Sequence, residues 1–279
     1  MGKPLRPEEE AARTIMSATL GVPVLQHDDG SHDSMYDLAI TLEDGQLGAV
    51  EVTAAADPEG IQLTRILHRH ELWVEPRLQS AWHVTVLPQA RAKNLFARLP
   101  DLLEEVAASC SAFINIACFE SSHDPWMRRA CDLGLESVYR VDNTDHPGAI
   151  YISVDGRALG GYVPLTGDPL ADWLTTYLAD DERKDVRRKL ALARCHEQHV
   201  FVWLPIFHAA TWEAFAVATT KPVPLPTRPP ELPSAVSHVW VMSTWGGRDG
   251  LRWSPGGGWT VFTDGGPQSE EGLRRRPRE

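Results

Sequence analysis

Two alternating runs, 36–42 and 47–53, stand on either side of Asp44-Gly45. Apolar and polar residues at period two, broken by Asp-Gly, specify a β-hairpin. In the first run Leu38, Ile40 and Leu42 share a face, opposed by Asp37, Ala39 and Thr41. In the second, Gly48, Val50 and Val52 make the greasier face, opposed by Leu47, Ala49, Glu51 and Thr53. A slip of one residue would turn a whole set of side chains to the wrong side, so the apolar faces must lie together, odd positions opposite odd. A three-residue loop Asp44-Gly45-Gln46 then sets Glu43 opposite Leu47, Ala39 opposite Glu51 and Asp37 opposite Thr53.

In that register Asp37 is diagonal to Glu51, within roughly 7–8 Å between backbones. Two carboxylates converging on one face repel each other unless a cation lies between them, and hard oxygen donors suit Mg²⁺ or Mn²⁺. A divalent ion so placed could activate water and stabilise a pentacovalent phosphate. The same spacing also suits two solvated acids on the exposed side of a hairpin, and spacing alone leaves both readings open.

Around the hairpin the periodicity predicts a helix over 8–20 closed by Gly21, a strand over 23–26, and a helix from the Asp57 cap to about His68. Strands are expected at 82–87, 113–119, 149–154, 199–204, 239–244 and 259–263. Further helices are expected from Ala90 with a break at Pro100, over 125–133, over 169–179 and 182–194 as one or two pieces, and over 211–217. Residues 221–233 hold six of the 21 prolines and form an extended tether. Six of the ten tryptophans lie at or after Trp203, which argues that the last strands pack on the main body. The expected organisation is a core over 1–90, its continuation over 91–220, the tether and β extension over 221–265, and a disordered tail over 266–279. The fold class is α/β, a mixed central sheet flanked by helices.

Composition narrows the function. With 27 Lys+Arg against 38 Asp+Glu and a net charge of -11, the chain lacks the global basic footprint of most nucleic-acid binders, so a polyanion would need a local patch. The strongest basic run is 182–194, where acids precede bases as on an ordinary solvated helix. No apolar run is long enough for a membrane span and no h-region opens the chain, so a cytoplasmic protein is expected. Cys110, Cys118, Cys131 and Cys195 lack paired CxxC spacing and read as reduced, buried thiols. Cys195, His196 and His199 offer three soft donors without an evident partner, and no Gly-x-Ser-x-Gly supports an esterase.

The order of a helix with leading acids, a strand, Asp37, then Glu51-Val52-Thr53 and another helix resembles the PD-(D/E)XK nuclease-like superfamily over about residues 8–90. The pattern His27 to Ser31, Met35 to Leu38 and Glu51 to Thr53 is also loosely similar to uncharacterised actinobacterial proteins. The resemblance implies a restriction-endonuclease-like core and a Mg²⁺- or Mn²⁺-dependent phosphodiesterase acting on DNA or RNA. Asp37 and Glu51 would be metal ligands, and the Val52 carbonyl a third. Thr53 stands where the family carries Lys, so either a neighbour supplies the missing charge or the site no longer cuts. Arg65 is a candidate substitute and Gln62 a candidate for positioning water or phosphate; both also suit a plain helix surface. Glu8 best extends the stripe of Ala12, Ile15 and Met16 towards such a metal, with Glu9 and Glu10 as rivals. The alternative is a catalytically inactive nuclease-like scaffold that binds nucleic acid or a protein partner.

Overall fold

The computed structural model describes residues 4–69, 72–108, 113–115, 125–141, 146–154, 166–205, 210–244 and 249–264. The chain divides into two compact units, residues 1–55 with 162–279 and residues 56–161. The expected tail over 266–279, Arg274–Arg276 within it, lies outside the described residues, as do Cys110, Cys118 and most of the strand expected over 113–119.

In chain order the elements begin α1 (Pro7–Leu20), β1 (Val24–Gln26), β2 (Leu38–Thr41), β3 (Leu47–Ala54), α2 (Pro58–Leu67), β4 (Trp73–Val74) and β5 (Ala81–Val86). There follow α3 (Ala92–Ala108), β6 (Phe113–Asn115), α4 (Pro125–Asp132), β7 (Leu135–Val141) and β8 (Ala149–Val154). The chain ends with α5 (Asp168–Ala179), a 3-10 turn (Asp181–Arg183), α6 (Lys184–Ala193), β9 (Glu197–Leu204), α7 (Trp212–Thr219), β10 (His238–Ser243), β11 (Asp249–Ser254) and β12 (Gly258–Thr263).

The first unit holds a mixed seven-stranded sheet in the order β1-β2-β3-β9-β10-β11-β12. β1, β2 and β3 run antiparallel in turn, β9 is parallel to β3 and β10 parallel to β9. Helices cover both faces, which is why β3 and β9 are apolar on both sides. On one face Ala12, Ile15 and Met16 of α1 pack with Leu38, Ile40, Val50, Val52, Phe201, Trp203 and Trp240. On the other, Leu170 and Leu174 of α5, Leu190 of α6 and Val217 of α7 pack with Ala49, Val200, Val202 and Val241. β10 to β12, with Trp240, Trp253 and Trp259, are strands of this sheet and not an appendage.

The proline-rich tether has no regular structure and lies along α5. Asp168 accepts hydrogen bonds from Thr227 N–H (2.7 Å), Asp172 pairs with Arg228, and Thr175 Oγ1 accepts from Glu231 N–H (2.9 Å). Positions 168, 172 and 175 share one helix face. That row satisfies backbone groups a stiff segment cannot satisfy by itself.

The second unit holds a five-stranded sheet in the order β4-β8-β5-β7-β6. Three strands escape the sequence reading: β4 has only two residues, β7 is interrupted by Glu136 and Arg140, and β11 carries Asp249, Gly250 and Arg252. The expected break at Pro100 does not occur. α3 runs through it, because Leu95, Leu99, Leu102, Leu103 and Val106 are all buried and hold the helix across the missing N–H. Residues 182–194 divide into the 3-10 turn and α6. Among the described residues no helix is long and apolar enough to cross a membrane. Cys195 is half-buried, but Cys131, expected to be buried, is exposed.

Candidate functional site

The loop of the β2–β3 hairpin is residues 43–45, one position earlier than expected. Leu42 N–H donates to the Gln46 carbonyl at 2.9 Å and Gly45 takes φ 80°. A three-residue hairpin loop needs its left-handed residue last, which glycine supplies and Gln46 would resist. The pairs are therefore Thr41 with Leu47, Ala39 with Ala49 and Leu38 with Val50. Odd still faces odd, so the two faces are those expected, but each residue meets a partner two positions earlier. Continued one step beyond Leu38, this register sets Asp37 opposite Glu51 instead of Thr53.

The two acids are not on a solvated surface: Asp37 is 4% and Glu51 3% exposed. Asp37 Oδ2 accepts the Val52 N–H at 2.8 Å. A strand residue's N–H and C=O point to the same side, so the Val52 carbonyl faces that edge too. Burial pushes the Asp37 carboxyl up; the Val52 N–H and Lys189 oppose the shift and Glu9 adds to it. Burial, and after it the charge of Asp37, push Glu51 up to about 8, although Lys189 pulls the other way.

Lys189 is the residue the sequence reading missed. Its Nζ lies 3.2 Å from Glu51 Oε1 and 3.3 Å from Oε2. It comes from α6, inside the basic run read as a solvated face. The signal was its phase: Lys189 is three residues after Val186 and four before Ala193, on the stripe that packs against the sheet.

Thr53 lies on the same face as Glu51. The Tyr177 hydroxyl, on α5, donates to the Ala54 carbonyl at 3.2 Å and stands 3.5 Å from Thr53 Oγ1, so the threonine is the donor of that pair. The Arg183 guanidinium covers the Tyr177 ring at 4.6 Å from its centre.

On α1 the inward acid is Glu9, 4% exposed, and Glu8 is exposed. By spacing Glu8 fits Ala12, Ile15 and Met16 at least as well, and it is the bonds to Arg6 that mark Glu9 as the inward acid. Its carboxylate accepts from Arg6 Nε at 2.6 Å and Arg6 N–H at 2.7 Å. Glu8 contributes only its carbonyl, which accepts the Trp203 indole N–H at 3.1 Å. Gln62 and Arg65 lie on α2, in the second unit, where Gln62 lines a cleft with Glu59, Leu63 and Pro88. Asp37, Glu51 and Lys189 come together without them.

A second cluster lies on the other face of the central sheet. Glu197, His199 and His238 each bring one donor atom within 4.8 Å of the others and could hold a metal ion. His199 Nε2 is 2.9 Å and His238 Nε2 3.7 Å from the Glu197 carboxylate, and the two rings stack with centres 4.3 Å apart. The His199 hydrogen bond holds the Glu197 carboxyl well below its usual range, and burial pushes both imidazoles down. His199 therefore pairs not with Cys195 and His196 but with a residue of the parallel strand β10, directly across the register. No local spacing encodes that meeting.

Compared with models of known families, with curated proteins and with solved structures, the chain matches none.

Proposed function

We propose that the chain is a divalent-metal-dependent phosphodiesterase acting on nucleic acid, with Asp37 and Glu51 as ligands of Mg²⁺ or Mn²⁺ and Lys189 as the cation that Thr53 cannot supply. The observation that carries this reading is the Lys189–Glu51 contact at 3.2 Å beside the buried Asp37. Two carboxylates raised by burial, Glu51 also by the charge of Asp37, form an oxygen donor set that a hard divalent cation relieves. Such an ion, when bound, supplies an activated water and neutralises charge on the phosphate. The chain's residues do the rest. The Val52 N–H fixes Asp37 Oδ2; Oδ1 would serve as the ligand, and the Val52 carbonyl shares that edge. Lys189 Nζ holds a positive charge where a phosphate oxygen or attacking water would sit. Tyr177 ties Thr53 and the end of β3 to α5.

The test is incubation of the purified chain with plasmid DNA, single-stranded DNA and RNA in Mg²⁺ or Mn²⁺. Degradation that requires the metal and vanishes in Glu51→Gln supports the reading; no degradation of any of them by the wild type sinks it. The depth of Asp37 and Glu51 favours a second reading, a nuclease-like scaffold that binds nucleic acid or a protein partner without cutting. Its mark for nucleic acid is binding that weakens steeply with salt and leaves the strand intact.

A further inference from the structure

We infer that Glu197, His199 and His238 form a binding site for a divalent ion of the Zn²⁺ class, and that filling it displaces the Trp240 indole from His199. Two imidazole nitrogens and one carboxylate oxygen are the donor set of a borderline ion with an open fourth position, and they disfavour Mg²⁺, which demands oxygen. The spacing fits. Ligand atoms about 2.1 Å from a tetrahedral Zn²⁺ stand about 3.4 Å from one another. Glu197 reaches His199 Nε2 at 2.9 Å through Oε2 and His238 Nε2 at 3.7 Å through Oε1, and one donor atom of each residue lies within 4.8 Å of the others, so a small turn of the side chains closes the set to that value.

The scaffold is also suited to it. His199 and His238 are register partners on adjacent parallel strands, so their separation is fixed by the sheet. Gly48, on β3, stands beside His199: a Cβ there would lie 3.4 Å from His199 Nε2 and 3.3 Å from Ile40 Cβ, so glycine keeps that ring nitrogen clear. His238 Nδ1 is 2.8 Å from Ser237 Oγ, the kind of outer hydrogen bond that orients a ligating imidazole.

Trp240 couples to the site through a proton. Its indole N–H can only donate, and it donates to His199 Nδ1 at 3.2 Å. Neutral His199 must then carry its hydrogen on Nε2 and give it to Glu197. An ion on Nε2 takes that place and moves the hydrogen to Nδ1, where it would face the indole N–H donor to donor. Trp240 has to turn away. Arg252, whose guanidinium covers the Trp240 ring at 4.7 Å, adds a positive charge that weakens the site.

The experiment uses the full chain, stripped with chelator and titrated with Zn²⁺ alone, read by calorimetry and by tryptophan emission. One equivalent is expected to bind with a change in emission. Glu197→Gln and His238→Gln should each weaken that equivalent by at least about tenfold. Trp240→Phe should bind at least as tightly as the wild type but lose the emission change, and Arg252→Gln should bind more tightly; both keep the inference testable if a ligand variant fails to fold. No Zn²⁺ bound by the wild type overturns it. So do equal uptake by wild type and folded ligand variants, an unchanged emission on binding, or the same response to Mg²⁺ at equal concentration.

Discussion

Lys189 Nζ reaches Glu51 Oε1 at 3.2 Å across 138 residues of chain. The connection from β3 to its parallel neighbour β9 must cross over the sheet, and α5 and α6, at its end, pack on the face that carries Glu51. A cation two residues after Glu51 would have shared its strand; here it arrives from above, on a helix, and meets the carboxylate head-on. The arrangement separates two tasks. β2 and β3 hold the acids in register, and α6 sets the charge.

Lys189→Met tests that division. The methionine keeps an unbranched stem of similar length and removes the charge. Metal-dependent cleavage should fall by about 10²–10³-fold, the usual loss when one preorganised electrostatic donor is removed. The metal should still raise the melting temperature, because both acids remain. Single-turnover cleavage and a melting curve with and without Mg²⁺ check the two halves.

Asp37→Asn should do the reverse. Asparagine retains an oxygen for the Val52 N–H, so the hairpin keeps its register, but the second negative charge is gone. A ligand at about 100 times its dissociation constant stabilises by about 2.7 kcal/mol. That increment should be present for the wild type in Mg²⁺ and absent for the variant, by thermal unfolding at equal protein concentration.

The hairpin was legible because its faces are fixed by parity alone. Leu38, Ile40, Val50 and Val52 lie together in one core as their alternation demands. The register was not, since it depends on which loop residue takes a positive φ, and Asp44-Gly45 admits two answers. The choice between Glu8 and Glu9 was not legible in the α1 stripe, whose phase suits Glu8; the contacts with Arg6 bury Glu9 instead. Lys189 and the Glu197–His199–His238 cluster were hidden for a different reason. Each is a meeting across parallel strands or a crossover, and a linear pattern carries the phase of such residues but not the identity of what they face.

The metal site proposed at the acid pair predicts a pH dependence with a defined direction. Glu51 sits at about 8 in the fold against an ordinary value of 4.5, so the folded state holds the proton more tightly than the unfolded chain. Without metal, its contribution to stability is fully present below pH 4.5 and is lost as pH rises through about 8. The ion needs the carboxylate, so its affinity should climb by roughly tenfold per pH unit up to that value and then level off. Calorimetric titration of Mg²⁺ across about pH 6 to 9 reads this directly. Because Lys189 pulls the Glu51 value down, Lys189→Met should move the plateau to higher pH.

The proline tether and the site share α5, and this gives a test of how they are joined. Gly167 precedes that helix, and its N–H donates to the Leu225 carbonyl at 3.1 Å. A Cβ at Gly167 would collide with the Pro224 carbonyl and the Pro226 ring, which are backbone and cannot turn aside. Gly167→Ala should therefore push the tether off the row made by Asp168, Asp172 and Thr175, at about 1–3 kcal/mol by the usual cost of overpacking. Gly256→Ala, whose Cβ would meet nothing within 4 Å, should stay within about 0.5 kcal/mol of the wild type and serves as the control. α5 also carries Tyr177, which bonds the Ala54 carbonyl at the end of β3. If the tether seats the helix, the variant loses Mg²⁺ affinity along with melting temperature; if the tether only covers it, the melting temperature falls alone.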